Sequence, residues 1–538
     1  MDKKSLLYSP IVQVSTCSKT KSVFGLPGLD VRFQKSDMYL MKVQQLVLFV
    51  FACLISLQAN AQMYMITDFG ARADSTVLNT KAIQSAIDEC FNKGGGEVGI
   101  PAGTFRSGTI LLKSNVYLRL LPGAVLQGSY NPADYPEHPI AWAQKYGTIT
   151  HDGLYVETMK ALVIADRAHH TGIVGQGTVR GAGDGKAFQL GLNKDGKPKN
   201  LFFVGCSDIL LRDVQVQNSA QITISISGCD KVNIDGITVQ SLANWNCDGM
   251  DVDARDVRIA NCMIDSEDDA LCFKSEYLSR FCENITVTNC VLSSLCNGIK
   301  MGTGSRTGFR NISISNCIVK RSSFNGYRHW SMPSDIVYQP ELQSVNTGIV
   351  ILGVDGGLVE NINVSDIVMT DVISPIFIRV GRRFLTPDQK TSAMRHITIQ
   401  NIRAESRSTI PSIIAGLAES PVEDVRIANV RVSVPIAVPA GSLSRIPVLI
   451  PESQKGYPEN RLTFGTWLPA SAFYIRHARG ITMTDIAVWQ PAIEARSAFY
   501  TDDARNVRLT NVTINGNQLK EIKNGLVKKD SESVTIRE

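Results

Sequence analysis

One phrase of alternating character recurs along most of the chain. Two polar residues are followed by apolar or β-branched residues alternating with polar ones, and then by Asn, Asp or a neighbour. It reads SDILLRDVQV, DKVNIDGITV, RDVRIANCMI, CENITVTNCV and FRNISISNCI, and later VENINVSDIV, MRHITIQNIR, VEDVRIANVR, ARGITMTDIA and ARNVRLTNVT. Taking the first apolar residue of each phrase as an anchor gives Ile209, Val232, Val257, Ile285 and Ile312, separated by 23, 25, 28 and 27 residues. The later anchors are Ile362, Ile397, Val425, Ile481, Val507 and Val534. Gaps of 50 and 56 among them accommodate two units each, and the gap of 35 suggests one unit with an insertion. Alternation with period two predicts strand rather than helix. No stretch of helical length intervenes between phrases, which excludes a βαβ architecture.

A unit of 22–28 residues holding two or three short strands is one coil of an all-β parallel solenoid. Successive coils stack at the inter-strand spacing, roughly 4.8 Å. Such a stack needs its ends covered, because open strand edges pair with other chains. TKAIQSAIDECF (80–91) predicts an N-terminal cap helix, with Ala82, Ile83, Ala86, Ile87 and Cys90 at helical spacing. Asn284, Asn311, Asn363 and Asn511 match glycosylation sequons, but each falls inside a phrase, where stacked amide ladders are the expected reading.

The chain's start changes the charge reading. Met41-Lys42, the apolar run LVLFVFACLISL (46–57) and Ala59-Asn60-Ala61 form a positive, apolar and small-residue sequence with the pattern of a secretory signal. Residues 1–61 are expected to be this leader behind an over-extended start, leaving one domain over 62–538 that is exported to the periplasm or beyond the cell. The leader holds seven Lys/Arg against three Asp, so the remaining chain is near 5 − 4 = +1. That balance argues against nucleic acid as a partner and against stable membrane insertion. A monomer is expected. Ten cysteines follow Ala61, with no Cys-x-x-Cys pair and no nearby histidine set, so a zinc site is not expected. They read as small buried hydrophobes in the stack.

Chemistry concentrates in NCDGMDVDARDVRIANCMIDSEDDAL (246–271). Asp248 and Asp268 lie 20 residues apart, nearly one coil, on either side of the strand phrase, and Asp269 follows directly. Stacking would aim them from neighbouring coils onto one face. Carboxylates about 5 Å apart at an effective dielectric near 20 repel by about 3 kcal/mol, enough to hold a proton near neutral pH. One protonated and one ionised carboxylate in a groove is what glycosidic-bond hydrolysis requires. Spacing alone leaves a calcium site equally open. Asp251 and Asp253 read as strand residues.

These residues carry a resemblance to glycoside hydrolase family 28, the polygalacturonases and related pectin hydrolases. It begins with ITDFGARADSTVLNTKAIQSAIDEC and GGGEVGIPAGTF, and continues through GIVGQGTVRGAG (172–183) and the repeats to GGLVENINVSDIVMTDVISPIFI (356–378). The Asn-x-Asp motif is Asn246-Cys247-Asp248 and the Asp-Asp motif is Asp268-Asp269. The resemblance implies a right-handed parallel β-helix and an inverting mechanism without cofactor or metal. Asp268 is then the general acid, with Asp248 and Asp269 activating water. Inversion needs carboxyl groups roughly 6.5–9.5 Å apart. Two departures stand out. The family's histidine is replaced by Asn297, and the stretch aligned with its carboxylate-gripping cations is GIVILG (348–353), which holds none. Asn246, Asn297 and Lys300 are the expected substrate-binding residues. The departures leave room for a pectic chain without uniform carboxylates.

Other features carry weaker expectations. The segments FNGYRHWSMPSD (324–335) and YPEHPIAWAQKYG (135–147) interrupt the repeat, as sugar-stacking loops that favour exo action or as aromatic plugs. Trp245 is a candidate subsite contact, and Arg379, Arg382 and Arg383 are candidate carboxylate ligands or a solvated run. A calcium-dependent lyase on a similar β-helix and a non-catalytic carbohydrate-binding solenoid are the other classes open at this point.

Overall fold

The computed structural model describes residues 63–139, 160–188, 196–277, 279–324, 344–383, 385, 389–454, 457–521 and 525–537. The expected leader, most of 324–335 and the later part of 135–147 lie outside these residues. Apart from the short hairpin in which Asn517–Gln518 pairs antiparallel with Thr513 and Ile514, the strands pair in parallel with strands one coil away, so the chain winds as a parallel β-helix. The anchors stack as the phrase requires. Ile209 lies opposite Val232, Val232 opposite Val257, Val257 opposite Ile285 and Ile285 opposite Ile312. Their side chains are all buried in one continuous core.

The two long gaps turn out differently. Ile312 pairs directly with Ile362, and Val425 pairs directly with Ile481. Each gap is therefore a single coil carrying an insertion, not two units. Residue count cannot separate the two cases; only a second copy of the phrase would signal an extra coil, and neither gap contains one. The gap of 35 is one coil with an insertion, since Ile362 pairs with Ile397.

Corners of the coils explain the Asn and Asp that flank the alternating run of each phrase, before and after it. Asn284, Asn311, Asn361, Asn289, Asn401, Asn429 and Asn511 all sit near φ +50 to +58°. Asn and Asp enter this left-handed region more easily than other side chains because their short polar groups bond locally. Here the amides also reach across coils. Asn284 donates to Asp256, Asn311 to Asn284 and Asn361 to Asn311, at 2.9, 3.1 and 3.2 Å. Asn511 donates to Asp485. Asn363, expected in such a ladder, instead lies on a strand between Ser313 and Thr398, and Asn361 takes its place. The ten cysteines that follow residue 61 are buried and free of disulfides.

The helix Thr80–Asn92 (α1) forms where predicted and buries Ile83, Ala86, Ile87 and Cys90 against the first strands. Among the described residues no helix is long and apolar enough to cross a membrane. One segment departs from the winding. The described residues of 434–469 (434–454 and 457–469) leave the coil between the strands Val422–Ser433 and Ala470–Trp489. Their Ile450, Phe464 and Leu468 build a second apolar cluster with Val350, Leu352, Phe377 and Tyr474 on the outer face of the solenoid. Phe464 meets Phe377 and Tyr474 edge-on, with ring centroids 6.3 and 6.0 Å apart.

Candidate active site

Four strands frame the acidic cluster: β1 (Met250–Ala260), β2 (Leu271–Ser275), β3 (Asn297–Ser305) and β4 (Val345–Gly353). Met250 lies opposite Leu271, Leu271 opposite Ile299 and Ile299 opposite Ile349. The ladder continues backwards into the turns that precede them. Gly249 N donates to Asp269 O (2.8 Å), Ala270 N to Asn297 O (2.9 Å) and Thr347 N to Cys296 O (3.1 Å). Extending the register two residues places Asp248, Asp269, Asn297 and Thr347 in one column across adjacent coils. Gly249 is required by this approach: a Cβ there would meet Ile264 Cγ2 at 2.4 Å and Ala270 O at 2.5 Å.

Asp268 is held beside that column. Asn246 Nδ2 donates to Asp268 Oδ2 (3.3 Å), and Asp268 Oδ1 accepts from the Asp269 amide (2.9 Å). The Asp268 carbonyl accepts from Ser266 Oγ (2.8 Å) and Ser294 Oγ (2.6 Å), which fixes the turn from both neighbouring strands. All three aspartates are buried: 7% exposed at 248, 5% at 268 and 3% at 269. The expected convergence of carboxylates from adjacent coils is therefore present.

Their environments push two of them apart. Burial lifts the Asp248 carboxyl well above the ordinary aspartate range. The negative charges of Asp251, Asp268 and Asp269 add to this, against the pull of Lys274. Burial acts on Asp269 in the same sense but is outweighed. The Lys300 and Lys274 charges, with hydrogen bonds from Lys300 and Asn297, hold Asp269 below its ordinary value. The site thus pairs a carboxyl whose hold on a proton is raised with one whose hold is lowered, the direction of asymmetry that acid–base work needs.

The expected substrate-binding residues face inward to this network. Asn297 Nδ2 donates to Asp269 Oδ1 (2.6 Å), and Lys300 Nζ to Asp269 Oδ2 (2.8 Å). Lys300 is 3% exposed, and its ammonium also reaches Glu459 Oε1 at 3.1 Å. Glu459 escaped the sequence reading. It precedes the helix Asn460–Phe464 (α2) in the 434–469 segment, 159 residues from Lys300, and belongs to no repeat phrase. No local spacing could have tied it to the cluster.

The remaining candidates resolve as follows. Val350 lies opposite Lys300 one coil on, and both Val350 and Leu352 are sealed in the apolar cluster under the insertion, so GIVILG offers no groove cation. Arg379 is buried and donates to Ser453 O (2.9 Å) and Gln454 Oε1 (3.1 Å), tying the insertion to the solenoid. Arg383 pairs with Asp355 and Arg382 with Glu419. Trp245 is half-buried, with its carbonyl bonded by Lys197 Nζ. Asp251 is bridged by Lys274 (3.4 Å), and Asp253 accepts from the Glu276 amide (2.9 Å). Both are strand residues of β1, as expected.

Ligand atoms of Asp268, Asp269 and Cys296 lie within 4.8 Å of one another. They fit a calcium ion poorly. Calcium takes six to eight oxygens, whereas this set offers a soft thiol and a carboxylate already engaged by an ammonium.

A parallel β-helix with this aspartate cluster defines a class that comparison with known proteins makes specific. The pattern of glycosyl hydrolases family 28 matches residues 144–440, more than half of the 538. The chain belongs to that family. An exo-poly-alpha-D-galacturonosidase of Dickeya chrysanthemi is 53% identical over 72 residues, 13% of this chain and 12% of that protein. A probable polygalacturonase of Vitis vinifera is 28% identical over 228 residues, 41% of this chain and 46% of that one. These alignments span less than half of either relative. The family 28 exopolygalacturonase of Yersinia enterocolitica has a similar fold, with TM-score 0.58 and 18% identity over 88% of this chain and 78% of that one.

Proposed function

We propose that residues 62–538 form an inverting glycoside hydrolase that cleaves a galacturonate-containing pectic chain, acting from a chain end. The observation that carries this is the buried three-aspartate cluster on adjacent coils, in which the surroundings raise the proton affinity of Asp248 and lower that of Asp269. Exo action is supported by the 434–469 segment, whose apolar cluster covers the outer face at Val350 and Phe377, on the coils next to Lys300. On this reading the cover stops a polysaccharide from continuing past the site in that direction. Export is supported by the leader-like run 46–57. We also take the winding as right-handed and α1 as the plug of its first coil, which the burial of its apolar face supports.

In the allocation the resemblance implies, Asp268 protonates the leaving oxygen while Asp248 and Asp269 activate water. Lys300 and Asn297 then orient Asp269 rather than grip substrate. A second allocation is favoured by the electrostatics: Asp248 holds a proton readily, so it would be the acid, with Asp269 as base. The two separate on leaving-group dependence. Loss of the acid is masked on a glycoside whose leaving group needs no protonation, whereas loss of the base is not. Asp268→Asn and Asp248→Asn compared on an activated aryl galacturonide and on a pectic oligosaccharide identify which residue protonates.

The function itself is tested by incubating the protein with a panel of pectic polysaccharides and oligosaccharides and following the products. Expected are short products from the first time point, little fall in viscosity and inverted anomeric configuration. Ultraviolet absorbance from an unsaturated sugar would instead establish a lyase, and no product from any substrate would leave a binding solenoid.

A further inference from the structure

Glu459 lies past residue 440, where the family match ends, yet it touches both groups that hold Asp269. Its Oε1 accepts from Lys300 Nζ (3.1 Å) and Asn297 Nδ2 (3.3 Å), and its Oε2 accepts from Asn346 Nδ2 (2.7 Å). Lys300 and Asn297 in turn make the two side-chain bonds to Asp269, at 2.8 and 2.6 Å. The next residue pins the segment: Asn460 Nδ2 donates to Asn346 O (3.2 Å) and Thr347 Oγ1 (2.8 Å) on the following coil. Glu459 is 5% exposed. A lysine ammonium is a point charge on a flexible four-carbon stem, so one anion alone fixes its direction poorly. A second anion, brought from another segment, does fix it.

We propose that Glu459 is a positioning residue: it clamps Lys300 and Asn297 against Asp269, so that the part of an insertion lying beyond the family match sets the orientation of the water-activating carboxylate. This rests on the role given to Asp269 above. The charged and titratable groups around Asp269 are Asp248, Asp268, Cys272, Lys274, Cys296, Lys300 and Glu459; among these, Glu459 alone comes from outside the regular coils. The segment that covers the outer face beside Lys300 and the group that orients the base are therefore one piece of chain. Seating of the insertion and readiness of the site become a single event.

A double-variant cycle tests this. Glu459→Gln alone should lower kcat roughly 10- to 100-fold with little change in KM, the scale of a misplaced catalytic group. Lys300→Met should cost at least as much, because it strands two buried carboxylates without their cation. In the Lys300→Met background the sign should reverse: adding Glu459→Gln removes an anion that has lost its partner, and both kcat and melting temperature should partly recover. Losses that simply add overturn the proposal, since side chains in direct ionic contact must couple. Coupling seen in melting temperature but not in kcat overturns it too, because that is what a purely structural pair gives. Should Lys300→Met fail to fold, the pH profile of Glu459→Gln decides. Releasing the clamp lets Lys300 and Asn297 swing away from Asp269, whose proton affinity they lower. The acidic limb of kcat/KM should therefore move to higher pH; an unmoved limb, or one moved to lower pH as loss of the charge alone would give, sinks it. If the wild-type chain turns over no pectic substrate, the functional reading fails, while the melting temperatures of the cycle still accept or reject the clamp.

Discussion

Two columns of side chains, one residue apart on the same strands, show how this solenoid divides its work. The inward column runs Val163, Leu201, Ile224, Met250, Leu271, Ile299, Ile349, Ile376. Each is fully buried, and each could stand in for its neighbour. The outward column on the same strands runs Ile164, Phe202, Ser225, Asp251, Cys272, Lys300, Val350, Phe377. It changes character from coil to coil: polar and charged beside the aspartate cluster, apolar again where the 434–469 segment lies over it. The backbone is the same for both. Stacking imposes a uniform demand on the inner face, because every coil must fill the same interior at native packing density. It imposes none on the outer face, so chemistry can be written there one residue at a time.

Substitutions should keep these columns distinct. The largest effect belongs to the site. Asp268→Asn should lower turnover about 10²- to 10⁴-fold, with its unfolding midpoint close to that of the wild type; turnover at the wild-type level on the true substrate would remove Asp268 from the mechanism. Next comes the inner column. Ile299→Ala should cost about 2–5 kcal/mol, read by urea unfolding, while activity per folded molecule falls far less than in Asp268→Asn. A larger loss of activity than of stability there would mean that the two columns are not separable.

A smaller and pH-dependent effect is expected at Asp248. Its proton affinity is raised in the folded state by burial and by Asp251, Asp268 and Asp269. A carboxyl raised in this way favours folding fully only below the unfolded value, about 3.9, and loses that contribution as pH rises through its folded value. Asp248→Asn should therefore gain melting temperature relative to the wild type as pH is raised from about 4 towards neutral, and the two should converge in more acid solution. A difference independent of pH would contradict the assigned environment. The smallest effect belongs to the corners: Asn311→Ala should cost about 1–2 kcal/mol for two lost exposed ladder bonds, to Asn284 and from Asn361, and leave kcat/KM unchanged. A corner variant that altered kcat/KM would mean that the ladder reaches the groove.

What the sequence by itself determined is whatever repeats. Period-two alternation specified strands, the spacing of anchors specified coils, and the Asn and Asp at phrase ends marked corners that need a left-handed residue. The Asp248, Asp268 and Asp269 cluster was legible for the same reason, since its members lie one coil apart and coil spacing is a local quantity. Tertiary structure decided everything that depends on contact between distant segments. The gaps of 50 and 56 became insertions rather than coils because strand register, not length, determines what pairs. Lys300 became an internal ion-pair partner, and Glu459 entered the site from 159 residues away, because an insertion has no period and folds back wherever apolar side chains such as Phe464 find a face to cover. Burial against that face, which no local pattern encodes, put the second carboxylate beside the cation.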